Sequence, residues 1–533
     1  MQAVNRPLSN LALHGVEASR RIEQQAQAGL APHTLMRRAG LAVARLALAV
    51  APHARRVWIA AGPGNNGGDG LEAAIHLLRA GKQVVVSAAA DAARLPADAA
   101  DALARAQAAG VSIGQDGAPE LGGQDLAIDA LLGLGASRAP QGRIAELVAR
   151  LNALACPVLA VDLPTGLDAM TGQPPGDACV RAATTLALLT AKPGLFTGQG
   201  RDFAGEVWFD DLAVDASAMP PDAWLTGDAE AAAARTPRRH ALHKGSYGDV
   251  AIVGGAPGMT GAALLAARAA HAAGAGRVFV SLLEPDHPGQ DMALDPARPE
   301  LMFRRAWWQA APETIANATV VAGCGGGDAV RSVLPRLLSL APRLVLDADA
   351  LNAIAADTGL QTQLTARAAR GHATLLTPHP LEAARLLGSD AAAVQRDRLR
   401  SAQSLADRWR CVALLKGSGT VIAAPGRAPH VNPTGNAVLA TAGTGDVLAG
   451  WIGGLWAQAG DAADPFEAAI SAAHTHGAAA DAAQVAPLRA ADLVEAMLAA
   501  APRVARHSVS APPTAPAARG VQRMPELTLW LHE

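Results

Sequence analysis

Apolar residues follow two rhythms along this chain, and the pair of rhythms occurs twice. Between residues 12 and 50 they recur at helical spacing, with Gly40 inside the pattern, which predicts helices. RRVWIAAGPGNNGGDGLEAAIHLLRAGKQVVVSA then reads as strand, glycine loop, helix and strand, and short apolar strands follow around Leu126–Asp129, Val158–Asp162 and Thr184–Leu189. A second series opens at Asp249 with DVAIVGGAPGMTGAALLAARAA, again strand, glycine loop and helix. Its further strands are expected at Thr319–Ala322, Leu344–Asp347, Thr374–Thr377 and Val412–Lys416, with a helix opening near Gly445. Strands alternating with helices predict an α/β chain with mostly parallel sheets covered on both faces. Pro220, Pro221, Pro237 and an alanine run interrupt the pattern and mark a boundary, and after about Val504 the Pro/Ala/Ser-rich sequence reads as a flexible tail.

Length agrees with two series, because a single core rarely grows past roughly 250–300 residues and this chain has 533. Its 45 basic and 47 acidic residues nearly cancel, which gives no support for nucleic acid or an anionic membrane as partner. The most apolar helix, Ala262–Ala273, is interrupted by Arg268 and His271 and reads as buried, not membrane-spanning. Cys156, Cys179, Cys324 and Cys411 form no CxxC pair, so a reducing cytoplasm is expected, and MQAVNRPLSN lacks the pattern of a signal peptide.

Candidate chemistry gathers at predicted strand ends. Gly62-Pro63-Gly64-Asn65-Asn66-Gly67-Gly68-Asp69-Gly70 places five glycines in nine residues between strand and helix, where backbone can approach a ligand and helix amides favour an anion. It is not a Walker A loop, since no Lys-Ser/Thr follows. Asp129 and Asp162 end later strands, where open α/β sheets bind ligands, so Asn66, Asp129, Asp162 and Thr165 could converge as hard oxygen donors for a group I or II cation. Taken singly, each Asp reads equally as a helix cap. In the second half, Thr441-Ala442-Gly443-Thr444-Gly445-Asp446 before an apolar helix forms an anion hole followed by a candidate base. Lys416-Gly417-Ser418-Gly419-Thr420 joins two strands and reads equally as a hairpin turn; Thr377-Pro378-His379-Pro380 and the Asp347/Asp349 pair sit at strand ends.

Together these motifs resemble the bifunctional NAD(P)H-hydrate repair enzymes over roughly residues 10–505. GPGNNGGDG, IDALLGLG and VDLPTGLD are similar to NAD(P)H-hydrate epimerases. HKGSYGDVAIVGGAPGMTGAA, LDADALN, LLTPHP, LLKGSGT and TAGTGDVLAG are similar to ADP-dependent NAD(P)H-hydrate dehydratases of the ribokinase-like superfamily. The resemblance implies a Rossmann-like three-layer α/β/α epimerase domain (1–225), a linker (226–239), a ribokinase-like α/β/α dehydratase domain (240–505) and a tail (506–533). It implies that Asn65, Asn66, Gly67, Gly68 and Asp69, with Gly133, Leu134, Gly135, Ala136, Ser137, Arg138 and Ala139, hold the hydrate, and that Asp162 meets the reacting ring. Asn66, Asp129 and Thr165 would coordinate K⁺. Ala262, Gly325 or Gly327, His379 and Asp446 would contact the hydrate in the second domain, while Lys416, Gly417, Ser418, Gly419, Thr420 and Gly445 bind adenine nucleotide, with Mg²⁺. The implied chemistry is epimerisation at C6 with Asp162 as acid/base, then ADP-driven dehydration of the S hydrate with Asp446 as base, leaving AMP, phosphate and NAD(P)H. The expected partners are NADHX, NADPHX, ADP/AMP and further copies of the chain, with no nucleic acid or membrane. The alternative is a ribokinase-like small-molecule kinase with an accessory N-terminal binding domain. Thr165, Leu381, Cys324 and Ala442 depart from the commoner family pattern, which has Ser, Gly, Pro and Gly there.

Overall fold

The computed structural model describes residues 1–501 apart from 90, 115–118, 136–137, 234–236, 284–293, 461–462 and 484–487. The expected tail, 506–533, lies outside the described residues, as do Ala136 and Ser137.

The first series builds an eight-stranded sheet. In spatial order it runs Gln2–Ala3, Glu206–Asp210, Thr184–Leu188, Val158–Val161, Leu126–Ala130, Arg56–Ala61, Gln83–Ala88 and Ser112–Gly114. All neighbours are parallel except the edge pair of Gln2–Ala3 with Glu206–Asp210. Reading outward from Arg56–Ala61, sequence-successive strands go first to one side and then to the other, so the order reverses between Arg56–Ala61 and Leu126–Ala130. Ligands bind at such a reversal, beyond the strand carboxyl ends. Strands such as Leu126–Ala130 and Val158–Val161 are buried throughout, which is why they read as unbroken apolar runs.

The second series builds an eleven-stranded sheet. It runs Met302–Phe303, Arg277–Leu282, Asp249–Gly254, Ala318–Ala322, Arg343–Leu346, Ala373–Leu376, Val412–Leu415, Val421–Ala423, His430–Val431, Ala223–Leu225 and Leu11–Leu13. Pairing is parallel as far as Val412–Leu415, which turns back antiparallel onto Val421–Ala423. Helix Thr444–Gln458 lies against helix Thr260–Ala273, where Gly450 and Gly454 leave no room for a side chain: a Cβ would meet Ala266 O at 2.0 Å and Ala270 O at 2.3 Å. Helix Ala262–Ala273, expected as buried, forms part of Thr260–Ala273, and no helix among the described residues is long and apolar enough to cross a membrane.

The two series are laced together. Leu11–Leu13 and Ala223–Leu225, which flank all but the first strand of the first sheet in sequence, extend the second sheet beyond His430–Val431. Leu11–Leu13 overlaps the start of the stretch, 12–50, read as helical from its spacing. Three apolar residues in a row fit either period, and the partner strand more than two hundred residues away decides. The stretch read as a linker contains a helix, Asp228–Ala233.

Candidate active sites

A cavity of about 760 Å³ opens where the first sheet reverses its order. Asn65, Asn66, Asp69, Gly133, Leu134, Gly135, Arg138, Ala139 and Asp162 all line it. Gly67 and Gly68 do not: both are buried, and a Cβ would lie 2.1 Å from Gly62 O at the first and 2.7 Å from Met36 Cε at the second. Their role is to let helix Asn65–Arg79 start close against the sheet. Gly62 is equally confined, with Leu131 O 1.7 Å from its ideal Cβ position, whereas nothing lies within 4 Å of that position at Gly64.

Asp162 follows strand Val158–Val161 with φ +67°, a left-handed backbone that a non-glycine residue adopts at a cost of about 1–3 kcal/mol. The strain turns its carboxylate toward the cavity. Leu134 N donates to Oδ2 at 3.2 Å, and the ammonium of Lys192 pairs with Oδ1. Lys192 is 2% exposed, and its Nζ also donates to Leu188 O at 2.8 Å. Asp69 faces the same cavity, and burial, reinforced by Asp162 and Glu23, holds its carboxyl well above the usual range. Burial and Asp162 raise Glu23 in the same direction. The cavity thus holds an ion-paired carboxylate, Asp162, beside Asp69 and Glu23, whose carboxyls are shifted toward the neutral form, the kind of difference that separates acid from base. A Cβ on Gly133 would meet Asn66 Oδ1 at 3.0 Å and Asp162 Oδ2 at 3.1 Å, so this glycine opens the space between them.

Asp129 and Thr165 lie beneath the cavity, both fully buried. Asp129 accepts from Thr165 N at 2.8 Å, Thr165 Oγ1 at 2.7 Å and Leu131 N at 3.2 Å. These donors are neutral, no cationic side chain pairs with Asp129 among the described residues, and burial pushes its carboxyl up to about 6. The buried Asn66 Nδ2 has no hydrogen-bond partner. A carboxylate without a counter-ion, a hydroxyl and an amide whose oxygen and nitrogen can exchange places suit a hard cation.

In the second half, Asp347 ends strand Arg343–Leu346. It accepts from Thr377 Oγ1 and from Lys416 Nζ, each at 2.8 Å. Ala348, at φ +48°, turns the chain so that Asp349 can accept from Gly327 N at 2.8 Å. Gly325 and Gly327 both have positive φ, and a Cβ on Gly325 would lie 2.9 Å from Ala262 Cβ, so these three residues are neighbours. Asp446 sits in the first turn of helix Thr444–Gln458, its carboxyl pushed up to about 6 by burial and by Asp347. Ligand atoms of Cys324, Asp347 and Asp446 lie within 4.8 Å of one another, and burial with the two carboxylates keeps the Cys324 thiol protonated. Lys416 Nζ lies 3.2 Å from the ideal Cβ position of Gly445, so the ammonium overhangs the helix start. His379 caps helix Pro380–Leu387 reciprocally with Glu382 and leaves its ring exposed. Leu381 and Ala442 are absent from the residues with positive φ, so their side chains strain nothing.

Lys416–Thr420 is the turn of an antiparallel hairpin, as the plainer reading allowed. Lys192, Glu23 and Glu382 escaped the sequence reading. Lys192 offered a signal, a lysine within LLTAKPG at the end of an apolar strand; the two glutamates stand in ordinary amphipathic helices and offered none.

Residues 250–501 match the family described as NAD(P)H-hydrate dehydratase, and residues 32–194 match the YjeF-related protein N-terminus. The chain is 37% identical over 466 residues to the bifunctional NAD(P)H-hydrate repair enzyme Nnr of Escherichia coli K12, covering 85% of each protein. It is 38% identical over 465 residues to that of Moorella thermoacetica, covering 80% of this chain and 83% of the other. With that of Coxiella burnetii it shares 36% identity over 441 residues, covering 81% and 87%.

Proposed function

The chain belongs to the family of bifunctional NAD(P)H-hydrate repair enzymes, and from this we propose that its halves divide the repair of hydrated NADH and NADPH. The first interconverts the R and S hydrates at C6. The second dehydrates the S hydrate at the expense of ADP, giving AMP, phosphate and NAD(P)H. The observation that carries the reading is the pairing of Asp162 with Lys192 in a cavity shared with Asp69.

In the epimerase site, Asp69 gives a proton to the C6 hydroxyl, which departs as water while the ring nitrogen's lone pair forms a planar C6 centre. Water returns to either face, and Asp162, oriented by Lys192, takes its proton, which then passes back to Asp69 through water in the shared cavity. Asn65, Gly135, Arg138 and Ala139 hold the rest of the hydrate, a role that extends to Ala136 and Ser137 by family likeness alone. Asn66, Asp129 and Thr165 would hold K⁺, which supplies positive charge to a buried carboxylate. Gly67 and Gly68 act through packing.

In the dehydratase site, Asp446 takes the C6 hydroxyl proton as that oxygen attacks the β-phosphorus of ADP, releasing AMP. The ring nitrogen then expels phosphate, and loss of a C5 proton to the departed phosphate restores the double bond. Amides at Thr444 and Gly445 and the Lys416 ammonium stabilise charge on the transferred group. Asp347 and Asp446 offer the hard oxygen donors that Mg²⁺ with its nucleotide requires, a set in which the soft Cys324 thiol has no part; Mg²⁺ supplies charge neutralisation on the phosphates. Ala262, Gly325, Gly327 and His379 line the hydrate's side, and Gly417–Thr420 the nucleotide's. We place the enzyme in the cytoplasm as a self-associating protein, a reading that sedimentation and fractionation can check; its four cysteines are free and buried.

Incubating an R/S hydrate mixture with ADP tests the division of labour. Asp446→Ala should lose recovery of reduced-nicotinamide absorbance by at least ~10²-fold while still equilibrating the epimers. Lys192→Met should clear the S hydrate normally and the R hydrate only at the spontaneous rate. Accumulation of a stable phosphorylated alcohol in place of phosphate would instead mark a kinase.

A further inference from the structure

The loop Lys416–Thr420 is built largely against the other half of the chain. Gly198 N donates to Ser418 O at 3.1 Å, and Thr197 Oγ1 lies 3.4 Å from both Ser418 O and Gly419 O. Arg398 joins the two sides. It is 1% exposed; its Nε donates to Thr197 Oγ1 at 3.2 Å, and its Nη2 reaches Leu415 O and Lys416 O at 3.2 Å and Gly419 O at 3.4 Å. The loop glycines match this arrangement. Gly419, at φ +60°, would place a Cβ 2.0 Å from Phe196 O, and Gly417, at φ +138°, would place one 2.8 Å from Arg398 Nη1. Both glycines are thus required by packing against the first half and Arg398, whatever ligand lies outside. The exposed side of the turn is left to Gly417 and Ser418.

We propose that Thr197, Gly198 and Arg398 are positioning residues for the ADP site, so that a turn belonging to the epimerase half sets the nucleotide loop of the dehydratase half. Thr197 is fully buried and lies five residues beyond Lys192, with the buried turn Pro193–Leu195 between them. Gly194 N anchors that turn to Ala169 O at 2.8 Å. The segment that braces the nucleotide loop is therefore continuous, through one short buried turn, with the lysine that orients Asp162.

The inference rests on reading Lys416–Thr420 as the nucleotide loop, and the test separates the two. In the full chain, Thr197→Val, which loses roughly one buried hydrogen bond, should raise the KM for ADP by about five-fold, and Arg398→Lys, which loses the guanidinium fork on the loop carbonyls, by at least as much, with kcat for dehydration within about two-fold of the parent. In the unaltered protein, ADP should slow amide exchange in the peptide spanning 193–199 as well as in 416–420. Lys416→Met serves as the control. If it leaves ADP binding intact, the nucleotide reading fails and this inference with it. If it weakens ADP binding while Thr197→Val and Arg398→Lys, both folded, keep the parental KM, the inference alone is overturned. If neither variant folds, exchange decides: ADP protection confined to 416–420 overturns it.

Discussion

Single residues carry most of the electrostatic meaning of this molecule, and Asp129 shows how. Its folded carboxyl titrates near 6, above the ordinary 3.8, because burial penalises the anion. Below 3.8 it is protonated whether the chain is folded or not, and the effect vanishes. Above about 6 it is ionised in both states and the fold bears the full penalty, about 3 kcal/mol. A cation beside the anion removes that penalty, so stabilisation by K⁺ should grow as pH rises through 6. Melting temperature in K⁺ against a large organic cation should separate by several degrees at pH 8 and converge at pH 5. Asp129→Asn should abolish the difference at both, and a K⁺ effect that survives in this variant would remove Asp129 from the site. Residue identity in the sequence pointed to Asp129 and Asp162 as site groups. It could not show that Asp162 is paired, because Lys192 stands thirty residues further on and reaches it only through the fold.

At the scale of elements, the glycine loops were legible in place but not in purpose. The density of GPGNNGGDG correctly located a strand-to-helix junction at the mouth of a cavity. Ligand approach and close packing both demand glycine, however, and sequence cannot divide them. Space around each residue can. Gly64→Ala should change stability by less than about 0.5 kcal/mol, since nothing occupies its Cβ position, whereas Gly67→Ala should cost about 3 kcal/mol by driving a Cβ into Gly62 O. Urea unfolding of the two variants checks the contrast; equal midpoints would show that the helix start yields. Several central strands that are buried throughout, such as Val158–Val161 and Ala318–Ala322, were read to within a residue or two, whereas interior Arg277–Leu282 and His430–Val431 were not. The short strands Leu11–Leu13, at the sheet edge, and Ala223–Leu225, next to it, were not read either, because their character comes from partners and not from their own residues.

For the whole molecule, the separation into halves is chemical more than architectural. A cut between Leu225 and Thr226 would leave the last two strands at one end of the second sheet on the first fragment. The fragments of a chain cleaved there should stay associated, and capture of one through an affinity handle should retain the other. Made alone, the second fragment would expose the edge of His430–Val431 and should aggregate. Independent elution of two soluble fragments would show that the lacing is dispensable.

The first thirteen residues take part in both halves. Gln2–Ala3 closes the edge of one sheet, Val4 is fully buried, and Leu11–Leu13 closes the other. A start shortened past Leu13 for expression is therefore not a neutral change. Loss of these strands would remove an edge from both sheets at once, and a preparation weak in both activities could then be mistaken for one whose substrates had been wrongly assigned.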